Sequence, residues 1–296
     1  MLRPIVVGLD GSRESVAAAD WAAREALRRG LPLRLVHAWE APPDGDVPAT
    51  PDELQVPRYW AGRVLRSGLD RLTEQHPQVA ITGEQINRPP IPALVSEVDT
   101  AELLVLGHEA FGGLGGYLAG SVAMAAVTQV RKPVVLVRAG WSATSENLPD
   151  GGDCAVKGTA CRDVVLGIDL RHSCEPLLEF ALQAAQFRRA ALRIVHVWQL
   201  PHGRVGAGER GRRAREVDWA LDALLDPWRE KFPTVSARGV AVNGPPGQEL
   251  LRAARDAGLL VVGRQVRQVA VGARIGRIGH LAIRRANCPV AVVAHD

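Results

Sequence analysis

Cysteine is scarce in this 296-residue chain, and the four present, Cys154, Cys161, Cys174 and Cys288, include no C-x-x-C pair. That spacing sets aside a zinc ribbon, and their sparseness sets aside a secreted disulfide scaffold, which leaves reduced, ordinary thiols. No run approaches the roughly 18 consecutive apolar residues of a membrane span. Met1-Leu2-Arg3-Pro4-Ile5-Val6-Val7 leads straight into a short apolar strand, without the longer apolar core and cleavage site of a signal peptide. The expected location is therefore cytoplasmic, with no membrane partner. Two nucleotide motifs are missing as well. There is no G-x-x-x-x-G-K-[ST], which excludes a P-loop NTPase, and Gly8-Leu9-Asp10-Gly11-Ser12-Arg13 is not the G-x-G-x-x-G of a dinucleotide fold.

What is present suits an ordinary globular core: 47% of residues are hydrophobic and 23% charged. The net charge of +4 is unevenly spread. Residues 1–140 carry 14 Lys+Arg against 16 Asp+Glu, whereas residues 163–296 carry 20 against 13. Such asymmetry can mark an anionic partner. Yet Arg210, Arg212, Arg213 and Arg215 crowd one polar stretch with no aromatics interleaved to stack on bases, so a solvated basic face is the better reading than a nucleic-acid surface.

The chain repeats itself. Ile5-Val6-Val7-Gly8-Leu9-Asp10 matches Val164-Val165-Leu166-Gly167-Ile168-Asp169, and Val36-His37-Ala38-Trp39 matches Val195-His196-Val197-Trp198; both pairs are 159 residues apart (Asp10 to Asp169, His37 to His196). Leu103 to Gly107 matches Leu259 to Gly263, and Pro133 to Val137 matches Pro289 to Val293, both at 156 (Gly107 to Gly263, Pro133 to Pro289). Four matches in one order mean two copies of one domain, here residues 1–140 and 163–296, joined by a Ser-, Gly-, Asp- and Thr-rich linker at 141–162.

Within each copy the anchors are short apolar runs bounded by turn residues, the pattern of strands buried on both faces of a parallel sheet. In the first copy strands are expected near 4–9, 33–39, 79–86, 102–107 and 133–138. Helices are expected over Ser15 to Leu27, with Ser12 as N-cap and Gly30 beyond its end, and over Pro51 to His76, Ile91 to Val98 and Ser121 to Val130. The alternation predicts an α/β chain of two tandem open five-stranded parallel sheets flanked by helices. Ligands of such sheets bind beyond the carboxyl ends of the strands, where the strand order reverses.

After the fourth strand comes Gly107-His108-Glu109-Ala110-Phe111-Gly112-Gly113-Leu114-Gly115-Gly116-Tyr117-Leu118-Ala119-Gly120-Ser121, then a helix. Glycines let a backbone approach a ligand closely, and a helix N-terminus offers amides and partial positive charge, so this loop is either a phosphate cradle or a flexible connection. Ser121 serves as helix cap or as phosphate donor. Asp10 is a turn-former ahead of Gly11-Ser12 or a ligand-binding carboxylate. His37 and Trp39 alternate with core positions and read as packing or rim residues rather than catalytic ones. Phe111 and Tyr117 either close over a ligand or anchor the loop.

The opening Val7-Gly8-Leu9-Asp10-Gly11-Ser12, the Val-His-Ala-Trp second strand and the spacing Gly107-x2-Ala110-x9-Gly120-Ser121 together resemble the universal stress protein family, in particular its ATP-binding branch. The resemblance covers nearly the whole chain outside the linker, although Ala110 replaces the second glycine of the family's G-x2-G-x9-G-[ST] loop. It implies a fold like that of the adenine nucleotide alpha hydrolases, and ATP with Mg²⁺ as ligand. Asp10 would reach the ribose or adenine, the backbone around Ala38 the adenine edge, and Gly107 the ribose. Ala110, Gly120, Ser121 and Val122 would meet the phosphates, largely through the main chain. A methyl at Ala110 is tolerable where φ is negative and weakens binding where it is positive.

In the second copy Val266 stands at the position of Ala110 and Arg277 at that of Ser121, and Leu170-Arg171 replaces Gly11-Ser12. A β-branched residue resists positive φ, so this loop is expected to hold ATP weakly or not at all. Its arginines, Arg264, Arg267, Arg274 and Arg277, either bind an anion or fill the phosphate space by pairing with carboxylates. The resemblance implies intramolecular pairing of the two domains through their final strands, and leaves homodimerisation of whole chains open. Three functions stay in contention: an ATP-dependent regulatory module in a stress response, a slow ATP-cleaving enzyme, and a scaffold that has lost nucleotide. No catalytic set is assigned, because the adjacent His108 and Glu109 commonly point apart and the Ser-Gly-Gly-x-Asp-Ser loop of ATP pyrophosphatases is absent.

Overall fold

The computed structural model describes residues 2–40, 51–109, 121–147, 161–199, 207–266 and 275–296. It divides into two compact units, Met1–Ser142 and Ala143–Asp296. In the first, β1 (Ile5–Gly8), α1 (Arg13–Arg29), β2 (Leu33–Trp39), α2 (Pro51–Gln75), β3 (Ile81–Asn87), α3 (Pro90–Val98), β4 (Leu103–Gly107), α4 (Ser121–Gln129) and β5 (Val134–Val137) follow in turn. Its parallel strands lie in the order β3-β2-β1-β4-β5. The second unit repeats the series with β6 (Val164–Ile168), α5 (Glu175–Arg188), β7 (Leu192–Trp198), α6 (Ala207–Lys231), β8 (Ala237–Asn243), α7 (Pro246–Ala253), β9 (Leu259–Gln265), α8 (Arg277–Arg285) and β10 (Val290–His295). Its order is the same, β8-β7-β6-β9-β10, again all parallel. Among the described residues no helix is long and apolar enough to cross a membrane.

The central strands are covered on both faces, so consecutive residues are buried: Ile5, Val6 and Val7 of β1 and Leu103, Leu104 and Val105 of β4 are all at 0% exposure. The edge strand β3 is mostly exposed and polar, with Thr82, Gly83 and Glu84 in water. It starts at Ile81, later than the pattern suggests, because Val79 donates to the His76 carbonyl in the turn that ends α2. The arginine-rich stretch 210–215 lies within α6, where Arg212 and Arg213 pair with Glu216 on an exposed face. Part of the segment expected as linker is folded: a 3₁₀ turn at Ala143–Glu146 leads to an antiparallel bridge between Asn147 and Cys161, and Arg162 donates to the Glu146 carbonyl. Residues 148–160, Cys154 among them, lie outside the described set.

Helix α1 fixes the geometry of the first unit. Ser12 is its N-cap, accepting from the Ser15 amide at 3.1 Å, and Gly30 closes it in the left-handed region at φ 64°. The buried face carries Ala18, Ala19, Ala22, Ala23 and Ala26 around Trp21, and such small side chains let the helix lie close on the sheet. The approach is tightest at Gly107. A Cβ there would stand 2.5 Å from the backbone of Glu14 and of Ser15, with no flexible side chain available to yield. In the second unit the corresponding Gly263 is crowded by side chains, the His295 ring and Leu177.

Gly107→Ala should therefore lower the stability of the full chain by about 1–3 kcal/mol through overpacking against backbone, with a smaller loss for Gly263→Ala, whose neighbours can turn aside. Urea unfolding followed by circular dichroism measures both. Equal losses would show that the helix approach is not what requires glycine at 107.

Candidate functional site

The turn after β1 is built by Asp10. Gly11 takes φ +85°, open to glycine without strain, and this folds the chain back so that Asp10 Oδ1 accepts from the Ser12 amide at 2.9 Å and from the Ser12 hydroxyl. Ser12 in turn caps α1. The Asp10 amide donates to Ser15 Oγ at 3.4 Å. Among the described residues Oδ2 of Asp10 makes no hydrogen bond, so one carboxylate oxygen holds the turn while the other is available on an exposed residue. Burial opposes ionisation of this carboxyl, but the hydrogen bonds from Ser12, with the Ser15 hydroxyl nearby, outweigh it and hold the group below its ordinary value.

Strand β2 runs past the end of β1. Pairing between them ends at Gly8 with Val36, closed by Leu9 N–H to the Val36 carbonyl at 2.8 Å, whereas pairing of β2 with β3 continues to Trp39 with Asn87. Backbone direction alternates along a strand, so Ala38 turns its N–H and C=O to the same side as Val36, beyond the last residue of β1 that could pair with them. His37 ties the two ends together, its Nδ1 2.7 Å from the Leu9 carbonyl oxygen. The second copy repeats the bond with His196 Nδ1 3.1 Å from Ile168 O.

On the other side of β1 lies β4, and the crevice where strand order reverses falls between the two. Gly107 ends β4 against the first turn of α1, and His108 continues by donating to the Val137 carbonyl. Ser15 links the sides, since its hydroxyl takes the Asp10 amide while its backbone abuts Gly107. Sequence reasoning passed over Ser15; its signal was the third place after the N-cap, where a hydroxyl commonly bonds back to the cap. Ser121 is exposed at the start of α4 and Val122 half-buried behind it. Ala110, Phe111, Tyr117 and Gly120 lie outside the described residues. Asp10, Ala38 and Gly107 thus converge at the carboxyl edge of β1, β2 and β4.

The second copy keeps the frame and changes the side chains. Arg171, where the first copy has Ser12, grips Asp169 through both oxygens, with Nε to Oδ1 at 2.9 Å and Nη2 to Oδ2 at 2.6 Å. Cys174 stands in the place of Ser15, its thiol 3.2 Å from the His172 carbonyl oxygen and 3.5 Å from that of Asp169, and burial raises its pKa. The Val266 amide, at the position of Ala110, donates to the His295 carbonyl at 2.7 Å. Arg264 is buried and Arg277 exposed at the first residue of α8; Arg267 and Arg274 lie outside the described residues.

Comparison with known proteins agrees with this doubled frame. The sequence model of the universal stress protein family matches residues 1–138 and again residues 161–294. A universal stress protein of Mycolicibacterium smegmatis is 30% identical over 302 residues, spanning 98% of this chain and 96% of that one. Another, from Mycobacterium tuberculosis, is 28% identical over 304 residues, with 97% and 96% covered. The crystal structure of a universal stress protein from Archaeoglobus fulgidus aligns with a TM-score of 0.70 over 99% of this chain and 98% of its own at 14% identity, a likeness of fold alone. With both halves matched and relatives of the same length and tandem build, the chain belongs to the universal stress protein family.

Proposed function

We propose that this protein is a cytoplasmic regulatory module of a stress response that binds ATP, with Mg²⁺, in its first copy. The observation that carries the reading is the convergence at the switch point of the sheet of an Asp10 oxygen and an Ala38 backbone edge without hydrogen bonds among the described residues, and of the side-chain-free Gly107. In this reading Asp10 Oδ2 accepts from ribose hydroxyls, the main chain of Ala38 meets the polar edge of adenine, and the ribose packs near Gly107. The phosphates then reach Ala110, Gly120, Ser121 and Val122, where main-chain amides and the N-terminus of α4 favour negative charge. The Gly107-x2-Ala110-x9-Gly120-Ser121 spacing supports that assignment. Among the described residues no cluster of His, Cys, Asp or Glu could hold a metal ion, so Mg²⁺ would travel on the phosphates. Binding changes the surface offered to partners, with the second copy serving as an intramolecular partner domain.

Mass spectrometry of denatured protein and titration calorimetry with Mg²⁺-ATP should find about one adenine nucleotide site per chain. Asp10→Ala should weaken it about tenfold through loss of a charge-assisted hydrogen bond. Gly120→Glu, which sets a carboxylate one residue before α4, should abolish it. Absence of nucleotide by both methods would remove this reading, and phosphate release near 1 s⁻¹ or above would replace it with an enzymatic one.

The Asp10 carboxyl also gives a pH signature. Its folded pKa is depressed below 3.8, so its contribution to stability is fully present above that value and is lost as pH falls through the folded pKa. Asp10→Asn should be less stable than the unaltered chain at neutral pH, and the difference should close as the pH is taken below 3.8. Denaturant unfolding across that range is the measurement; a gap independent of pH would mean that the charge of Asp10 plays no part in the turn.

A further inference from the structure

The second copy contains a large cleft that the nucleotide reading leaves without a role. It opens at the carboxyl ends of β6, β7 and β9, between α6, α7 and α8, with a volume of about 1290 Å³. Ligand pockets commonly run from about 300 to 1,000 Å³. Two groups that a nucleotide would need there are already engaged. Both oxygens of Asp169, the counterpart of Asp10, are held by Arg171. The amide of Val266, the counterpart of Ala110, is consumed by the His295 carbonyl.

Among the described residues, what lines the space is an apolar wall with one cationic corner. Leu170, Val197, Trp198, Val217, Ile275 and Leu281 supply the wall. Leu170 takes the place of Gly11 without positive φ, so the turn presents an isobutyl group where the first copy presents bare backbone. Of the described arginines on the lining, Arg171 is paired with Asp169 and Arg213 with Glu216. Arg277 makes no ion pair among the described residues, and it stands at the start of α8, whose N-terminus adds partial positive charge. A body that prefers the wall and a single negative charge that prefers the corner describe the complementary ligand.

We propose that this cleft binds a compact amphipathic monoanion, an aromatic or aliphatic acid, and that it does not take nucleotides. The apolar body lies between Trp198 and the side chains of α6 and α8, and the acid group meets Arg277. The site is independent of the ATP reading of the first copy.

The test uses the full chain and 8-anilinonaphthalene-1-sulfonate, an apolar ring system with one anionic group, read by energy transfer from tryptophan to the dye. One saturable site is expected, displaced by 2-naphthoate and not by saturating Mg²⁺-ATP. Arg277→Glu should weaken it about tenfold or more, the loss of a charge-assisted hydrogen bond, while Arg277→Lys keeps it. Ala220→Trp, which puts an indole into the space from the α6 lining, should block it, and Asp10→Ala should leave it unchanged. Circular dichroism and melting of each variant confirm that the fold persists. Unsaturable dye uptake, displacement by Mg²⁺-ATP, failure of 2-naphthoate to compete, or equal binding by Arg277→Glu and Ala220→Trp would each overturn the proposal.

Discussion

The close contact between the first turn of α1 and the end of β4 is the constraint on which the first unit depends. Backbone lies against backbone at Gly107, and the contact is possible because the buried face of α1 is mostly small, alanines and Ser15, with Trp21 and Glu25 the larger side chains on it. It brings the N-cap of α1, the Asx turn of Asp10 and the end of β4 into one small volume. A bulkier helix face would lift α1 from the sheet and separate these groups. The chemistry of the crevice therefore rests on helix–sheet spacing, set by residues that touch no ligand.

The two copies separate what the fold requires from what a site requires. Both retain the strand order, the histidine that pins the second strand to the first, and a glycine at the matching place in the fourth strand, the last residue of β4 and two residues before the end of β9. They differ in the few side chains at the carboxyl edge. Ser12 caps a helix, whereas Arg171 at the same place closes on Asp169; Ser15 is a hydrogen-bond relay, whereas Cys174 is a buried thiol. The frame accepts these changes because loops at the strand ends lie outside the packed core, so a cleft can change its chemistry while the sheet beneath stays the same.

Much of the architecture was legible before any coordinates. Constant offsets between matching strands disclosed the repeat, and caps such as Ser12 and Gly30 placed helix ends to within a residue or two. Periodic burial and turn chemistry are local signals, and local signals survive in a single sequence. The candidate site was legible only in part. Asp10 could be read either as a turn-former or as a ligand carboxylate, and the structure divides its oxygens between the turn and an available position. Gly107 was noticed as a motif glycine, yet its packing against Glu14 and Ser15, about ninety residues earlier in the chain, has no local trace. The folded ends of the presumed linker were missed for a similar reason, since a bridge from Asn147 to Cys161 pairs residues with no strand pattern of their own.

The sequence by itself determined the number of domains, the alternation of strand and helix, and which residue types stand at the strand ends, because these follow from composition and spacing along the chain. Tertiary structure alone decided that β2 outruns β1 and that, among the described residues, the Ala38 backbone has no partner on that side, that Asp169 is occupied by Arg171, and that an open cleft in the second copy has Arg277 at its corner. Each of these depends on the register of strands or on the direction of a side chain across a gap. Those are properties of packing between segments far apart in the chain, and no pattern within a single segment encodes them.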